Sequence, residues 1–112
     1  MPRDSSVYFE DILTAAARIA SYIEGHDRAT FGNDPKTVDA VVRNLEIIGE
    51  AVKQIPAGVR EQAPAVPWTR IAGLRDILIH AYFGIDVDIV WDVVTNKVPE
   101  LARSVKPLLG RR

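Results

Sequence analysis

Four polar residues with side chains suited to chemistry at a phosphate lie close together in one otherwise apolar segment. Arg75, Asp76, His80 and Tyr82 occur within residues 68–84, where the surrounding side chains are apolar almost throughout. Histidine exchanges protons near neutral pH, and arginine offers a permanent, forked hydrogen-bond donor to phosphate oxygens. The types and spacing of these residues therefore indicate acid–base chemistry at a phosphate group.

On a helix, these side chains form two pairs. Each residue turns ~100° about the axis, so Arg75 and Tyr82 lie together beside the apolar stripe. Asp76 and His80 lie one turn apart further round, where the carboxylate can accept a hydrogen bond from one imidazole nitrogen and raise its basicity. Arg75 and His80 differ by ~140° in direction. We therefore expect a homodimer in which two copies of the helix bring both pairs into one cleft.

The same residues also fit less specific roles. By spacing alone, an Arg-Asp-His trio on a helix is more often a surface ion-pair patch, and Tyr82 also fits an aromatic residue at the edge of the core. Asn44 and Glu50 are candidate supporting residues on a neighbouring predicted helix, with a solvated face as the alternative. His26 falls in a predicted loop and is assigned no role.

Hydrophobic periodicity predicts the elements that must position these residues. Apolar side chains recur at three- and four-residue steps in four stretches, which is the period of a helix with one buried face. The pattern contains no strand-like alternation, so the prediction is an all-α fold, an antiparallel four-helix bundle. The predicted helices cover residues 4–24, 34–55, 68–83 and 87 onward.

Helix-capping residues and helix breakers set these boundaries. Gly25 is a stop signal, and the pair Asp34-Pro35 is a start signal, because aspartate caps free amides and proline suits the first helical turn. The segment 56–67 contains three prolines and a glycine and is expected to be a loop with at most one helical turn. Gly84 should end the third helix, Asp86 should cap the fourth, and Pro99 should kink it.

Composition narrows the classes of function. The chain has 112 residues, 14 Lys and Arg, 15 Asp and Glu, and no cysteine, which predicts a single domain over residues 1–112 without disulfides or thiolate sites. No apolar run approaches the ~20 residues of a membrane span, so we expect a cytoplasmic location and no membrane contact. With a net charge of −1, any contact with nucleic acid must be local.

Metal and cofactor chemistry are not expected. The sequence has no tight cluster of His, Asp and Glu at a recognisable ligand spacing. The prediction is accordingly a site that works without a metal ion and without an organic cofactor.

The segment 75–82 resembles the signature of the HepT family of HEPN proteins. That signature is arginine, four residues, histidine, one residue and tyrosine, and Arg75, His80 and Tyr82 match it in full. Further similarity covers most of the chain. It includes residues 1–4, 43–51, 67–68, 88–91 and 98–101.

The resemblance implies a HEPN-like helical homodimer that is the toxin of a type VII-like toxin–antitoxin module. The implied activity is that of a ribonuclease. From the residues present, the expected mechanism is a metal-independent endonucleolytic cleavage of RNA, such as transfer or messenger RNA, by attack of a 2′-hydroxyl in a cleft at the dimer interface. The implied partner is a nucleotidyltransferase antitoxin of the MntA type, which inhibits the toxin by transferring AMP to the motif tyrosine, here Tyr82. An alternative is a non-catalytic adaptor that presents Tyr82 or a bound substrate to a minimal nucleotidyltransferase.

Overall fold

The computed structural model describes residues 5–74 and 86–109. These residues form helices and the turns between them, which confirms the all-α fold class predicted from the sequence. In chain order the helices are α1 (Ser5–Ile23), α2 (Arg28–Gly32), α3 (Pro35–Lys53), α4 (Ala57–Arg60), α5 (Trp68–Ala72), α6 (Val87–Asp92) and α7 (Val98–Leu109), with a π-helical segment, Val93–Lys97, between α6 and α7.

The core forms where α1, α3 and α7 pack together. α1 contacts both α3 and α7 extensively, and α3 also contacts α5. Each long helix contributes one apolar stripe, as its period of three and four residues predicts. The most deeply buried side chains include Ile12, Ile19, Leu45, Ile48, Val52 and Val105.

The ends of α1 and α3 confirm the predicted signals. Gly25, two residues beyond the end of α1, has a φ of +82°, a conformation that residues with a Cβ rarely adopt. Asp34 caps α3 by accepting a hydrogen bond from the amide of Thr37, and Pro35 occupies the first helical position. α3 ends at Lys53, two residues before the predicted limit.

Helix α2 was not predicted from the sequence. It packs against both α3 and α6. The Asp27 carboxylate and the Thr30 hydroxyl form a reciprocal capping box at its start. Phe31 is completely buried, and its ring centroid lies 5.1 Å from that of Trp91. A five-residue helix is too short to show a hydrophobic period, so the sequence pattern gave no signal for it.

The predicted third helix is interrupted at Gly73, and the prediction of one continuous helix over 68–83 was wrong at this residue. α5 ends at Ala72, and the amide of Gly73 donates to the carbonyl oxygens of Thr69 and Arg70 at 3.1 and 3.2 Å. Gly73 has a φ of −88° and a ψ of 2°, and glycine disfavours a helix interior because its backbone loses the most conformational entropy there. The rest of the predicted helix, including its expected end at Gly84, lies outside the described residues.

The distortion expected at Pro99 occurs in the turn immediately before it. The amide of Val98 donates to the carbonyl oxygen of Val93, five residues back, which defines the π-helical segment. Proline has no amide hydrogen, and its ring collides with the carbonyl four residues earlier, here that of Thr95. We attribute the widened turn to this collision, because helix kinks and π-bulges arise where the regular ladder is interrupted.

The connector between α3 and α5 is tied down by side chains that bond to its backbone. Arg60 donates to the carbonyl oxygens of Ile55 and Val52, at 3.0 and 2.7 Å, at the end of α3. The indole nitrogen of Trp68 donates to the carbonyl oxygens of Arg60 and Ala63, both at 3.0 Å. The helical turn expected in this segment is present as α4. Trp68 is buried in the core and also binds the connector through its indole nitrogen.

Candidate functional site

The residues with the strongest predicted chemistry lie outside the described part of the chain. Arg75, Asp76, His80 and Tyr82 all fall within residues 75–85. The structure does describe the two positions that flank this segment. Leu74, which precedes the segment, is 9% exposed. Asp86, which follows the segment, is exposed.

The N-terminal flank is held by close packing of α5 against α3. Gly49, on α3, is buried, and a Cβ atom added there would lie 3.3 Å from the carbonyl oxygen of Ile71. Ile71 and Trp68 bury their own side chains in the core. The backbone of α5 therefore lies directly on α3, and this contact fixes where the chain enters the motif at Arg75.

The C-terminal flank is held by a cap and by contacts to α2. The Asp86 carboxylate accepts hydrogen bonds from the amides of Asp88 and Ile89, at 3.0 and 3.2 Å, and so begins α6. Arg28 forms an ion pair with Asp88. Together with the packing of α2 on Trp91, these contacts fix where the chain leaves the motif segment.

The two candidate supporting residues on α3 occupy different environments. Asn44 is 5% exposed, and its side-chain amide donates to the carbonyl oxygen of Ala40 at 2.9 Å. Within residues 5–74 and 86–109, its Oδ1 atom has no hydrogen-bond partner. Glu50 is exposed and lies 3.5 Å from the ammonium group of Lys53. The structure therefore does not bring Asn44 and Glu50 together.

Glu50 belongs instead to a polar cleft between α1 and α3. This cleft has a volume of about 510 Å³, and its lining includes Tyr8, Arg43, Glu46 and Glu50. The sequence analysis had singled out Glu50 but not Tyr8. Because Tyr8 is 42 residues away from Glu50 along the chain, only the packing of α1 on α3 reveals that it belongs to the same cleft.

A second, more apolar cavity lies beside the start of the motif segment. It has a volume of about 360 Å³, and its walls include Ile71, Leu74 and Leu101. Arg70 and Lys97 also line it, and both are exposed. Sequence analysis missed this cavity, since its walls come from α3, α5 and α7 and from the π-helical segment.

His26, which was assigned no role, connects α2 to α3. Its Nδ1 atom lies 3.1 Å from the hydroxyl oxygen of Thr30, and its Nε2 atom lies 3.7 Å from a carboxylate oxygen of Asp34. Hydrogen bonds from the hydroxyl and then the amide of Thr37 lower the pKa of Asp34. This cluster stabilises the start of α3, and its geometry gives it a structural role.

The described residues offer no metal site and no membrane span. Across residues 5–74 and 86–109, no group of three or more His, Asp or Glu side chains is arranged to hold a metal ion. Within the same ranges, no helix combines the length and the apolar character needed to cross a bilayer.

Comparison with known proteins identifies the family. The family model described as "Ribonuclease HepT-like" matches residues 12–108, a stretch that includes the motif segment. No solved structure matches the chain significantly.

Three relatives are similar over almost their whole length. "Probable ribonuclease HepT" of Thermococcus cleftensis is 44% identical over 96% of this chain and 98% of its own. A protein named "Putative RNase" from Caldanaerobacter subterraneus is 44% identical over 93% of each chain. A protein with the same description from Methanocaldococcus jannaschii is 42% identical over 97% of this chain and 91% of its own. The chain therefore belongs to the HepT-like family of HEPN ribonucleases.

Proposed function

We propose that the protein is the endoribonuclease toxin of a type VII-like toxin–antitoxin module, cleaving RNA without a metal ion. The observation that carries the proposal is the family match over residues 12–108, because it spans a complete Arg75, His80 and Tyr82 signature. The ribonuclease descriptions of the relatives support the same reaction class.

In the proposed reaction, the 2′-hydroxyl oxygen of a ribose attacks the adjacent phosphorus, and the bond to the 5′-oxygen of the next nucleotide breaks. His80 accepts the proton of the 2′-hydroxyl or supplies a proton to the leaving 5′-oxygen. Arg75 stabilises the negative charge that develops on the phosphorane-like transition state. The products are a 2′,3′-cyclic phosphate and a free 5′-hydroxyl, and no water is consumed.

Asp76 is proposed as a positioning residue. On the helix predicted from the sequence it lies one turn before His80, where its carboxylate can accept a hydrogen bond from one imidazole nitrogen and so fix the tautomer that exchanges the proton. Asn44 is a second candidate for a supporting role. A buried amide with an unpartnered oxygen costs stability, and such a cost is often retained at functional sites.

The proposal requires a homodimer. On the helix predicted from the sequence, Arg75 and His80 would differ by ~140° in direction, so a single copy would not easily direct both at one phosphate. A twofold axis would place the arginine of one protomer opposite the histidine of its partner in a shared cleft. A net charge of −1 favours such a local cleft over a general nucleic-acid surface.

The proposed partner is a nucleotidyltransferase antitoxin of the MntA type. It would transfer AMP to Tyr82, with the phenolic oxygen displacing pyrophosphate from ATP. The bound AMP would add bulk and negative charge beside Arg75, in the place that an RNA phosphate would occupy. We propose a cytoplasmic location, where both the antitoxin and RNA are available.

The experiment compares RNA cleavage by four samples of the purified protein with total RNA and with transfer RNA. The samples are the unmodified protein, an AMP-modified sample, His80→Ala, and His26→Ala as a matched control at the other histidine. We expect the unmodified protein and His26→Ala to produce 2′,3′-cyclic phosphate ends. The AMP-modified sample and His80→Ala should produce none.

Equal cleavage by His80→Ala would contradict the catalytic assignment. If the unmodified wild-type protein does not cleave RNA but still binds the nucleotidyltransferase, the adaptor function is favoured over the enzyme function. Thermal unfolding of each variant distinguishes a lost catalytic group from a lost fold.

A further inference from the structure

The 360 Å³ cavity between α3, α5 and α7, here called the α5–α7 cavity, is apolar inside and charged at its rim. Its walls are formed mainly by aliphatic side chains from all three helices, among them Ile48, Ile71 and Leu101. Its volume lies within the ~300–1,000 Å³ range of small-molecule sites. Such a space suits a flat apolar group of the size of a nucleobase.

The rim carries two cations that have no ion-pair partner in the part of the chain that the structure describes. Arg70 and Lys97 are exposed, and neither forms an ion pair within residues 5–74 and 86–109. Exposed cations in this position can neutralise a phosphate. We expect the fold to tolerate their replacement, since no described ion pair depends on their charge.

Two further polar side chains line the same cavity. Glu100 is exposed and Ser104 is half-buried, and both can accept a hydrogen bond from an N–H group. A carboxylate acceptor beside apolar walls suits a base with an exocyclic amino group. It does not suit an aliphatic anion such as a fatty acid, which has no donor to offer.

The π-helical segment contributes directly to this cavity. Val93 and Lys97, its first and last residues, both line the space. π-helical turns are rare and often occur at functional sites, because the widened turn redirects side chains. Here the cavity draws one apolar wall and one cation from the same distorted turn.

We propose that the α5–α7 cavity binds one nucleotide unit, with the base between the apolar walls and the phosphate at Arg70 and Lys97. This inference deepens the proposed ribonuclease function and depends on it for the source of the nucleotide. Leu74, which lines the cavity, immediately precedes Arg75. A nucleotide held here would therefore lie next to the segment proposed to cleave the RNA chain.

The cavity also predicts a preference among bases. Glu100 can accept a hydrogen bond from the amino group of adenine or cytosine, whereas uracil has no amino group. We expect adenine and cytosine oligonucleotides to bind more tightly than uracil oligonucleotides. Glu100→Gln should reduce this preference, because a neutral amide is a weaker acceptor than a carboxylate.

The test measures binding of a fluorescent 2′-O-methyl trinucleotide to the full chain. This probe cannot be cleaved by attack of a 2′-hydroxyl, so binding is measured separately from catalysis.

Arg70→Glu and Lys97→Glu should each weaken binding about tenfold or more, and each should lower the salt dependence by about one phosphate contact. Ser104→Phe, which fills the cavity, should abolish binding. Arg103→Glu, at an exposed α7 residue outside the cavity lining, is the matched control and should change affinity by less than about twofold.

A second measurement follows backbone amide chemical shifts during titration with AMP. Shifts centred on Val66 and Leu101 support the proposal, and the comparison of AMP with the trinucleotide tells whether free nucleotide or RNA is the better ligand. The proposal is overturned if Ser104→Phe and both charge reversals bind the probe like the wild type. It is also overturned if octanoate perturbs these amides while neither nucleotide ligand does. If the cavity binds the probe and RNA is not cleaved, the ribonuclease proposal fails while the nucleotide site stands.

Discussion

A Cβ atom at Gly49 would lie 3.3 Å from the backbone carbonyl oxygen of Ile71. This distance is shorter than an ordinary van der Waals contact, so α3 and α5 pack with almost no side chain between them. The contact residue, Ile71, lies four residues before Arg75 in the sequence. Any change that separates these helices should therefore move the start of the motif segment.

Gly49→Val should lower both stability and RNA cleavage. The added isopropyl group would overpack the α3–α5 contact, which typically costs about 1–3 kcal/mol. Denaturant unfolding and an RNA cleavage assay measure the two effects. Gly58→Ala is the matched control, because nothing lies within 4 Å of an added Cβ there. If Gly49→Val cleaves RNA at the wild-type rate, the α3–α5 contact does not position the motif.

Asn44→Leu should leave stability unchanged or raise it while reducing cleavage. The substitution removes a buried oxygen that has no hydrogen-bond partner among the described residues, and such a defect costs about 1–3 kcal/mol. It also removes the bond to Ala40, which contributes about 0.5–1.5 kcal/mol. We expect cleavage to fall about tenfold, since small displacements of catalytic groups are costly.

The comparison variant for Asn44→Leu is Glu50→Gln, which changes an exposed residue on the same helix. Thermal unfolding and cleavage are measured for both. A clear loss of stability in Asn44→Leu, with cleavage preserved, would assign Asn44 to folding alone.

Phe31→Ala should destabilise the protein far more than Arg28→Ala does. Phe31 is completely buried and packs on Trp91, and removing such a side chain costs about 3–5 kcal/mol. The ion pair of Arg28 with Asp88 is exposed, and such pairs contribute less than about 1 kcal/mol. Chemical denaturation of the two variants should give this order, and the reverse order would show that charge holds α2 on α6.

Stability should decrease in acid partly through Asp34. Its pKa in the folded protein is lowered below the usual 3.8, first by the Thr37 hydroxyl and then by the Thr37 amide. The resulting stabilisation is therefore fully present above the unfolded pKa of 3.8. It is lost as the pH falls through the lower pKa that Asp34 has in the folded protein.

Thr37→Val tests this contribution because it removes the hydroxyl donor and keeps the amide. Its melting temperature should be a few degrees lower than that of the wild type at neutral pH. The difference should shrink below pH 3.8. A difference that is constant across the pH range would assign the loss to packing and not to the charge of Asp34.

Asp76→Asn should reduce kcat for RNA cleavage by about 10- to 100-fold if the carboxylate positions His80. The acidic limb of the pH–rate profile should also move to lower pH, because the imidazolium loses a neighbouring negative charge. Asp76→Glu should recover part of the activity. An unchanged pH profile in Asp76→Asn would assign Asp76 to a surface ion pair.

The sequence alone determined the helical fold, most helix boundaries and the family signature. Local rules suffice for these features, since capping by Asp34 and Asp86 and the stop at Gly25 depend on residues within one turn. The expected distortion near Pro99 follows equally from the chemistry of one residue. The catalytic assignment of Arg75 and His80 stays a prediction from the sequence.

Only the tertiary structure decided which distant side chains meet. It showed that Phe31 packs on Trp91 and that Asn44 is buried while Glu50 is exposed. It also showed that the α5–α7 cavity draws on elements far apart along the chain. Hydrophobic periodicity tells which face of a helix is buried, but it does not tell which helix covers that face. The partners are chosen by the packing of the whole bundle, and no local pattern contains that information.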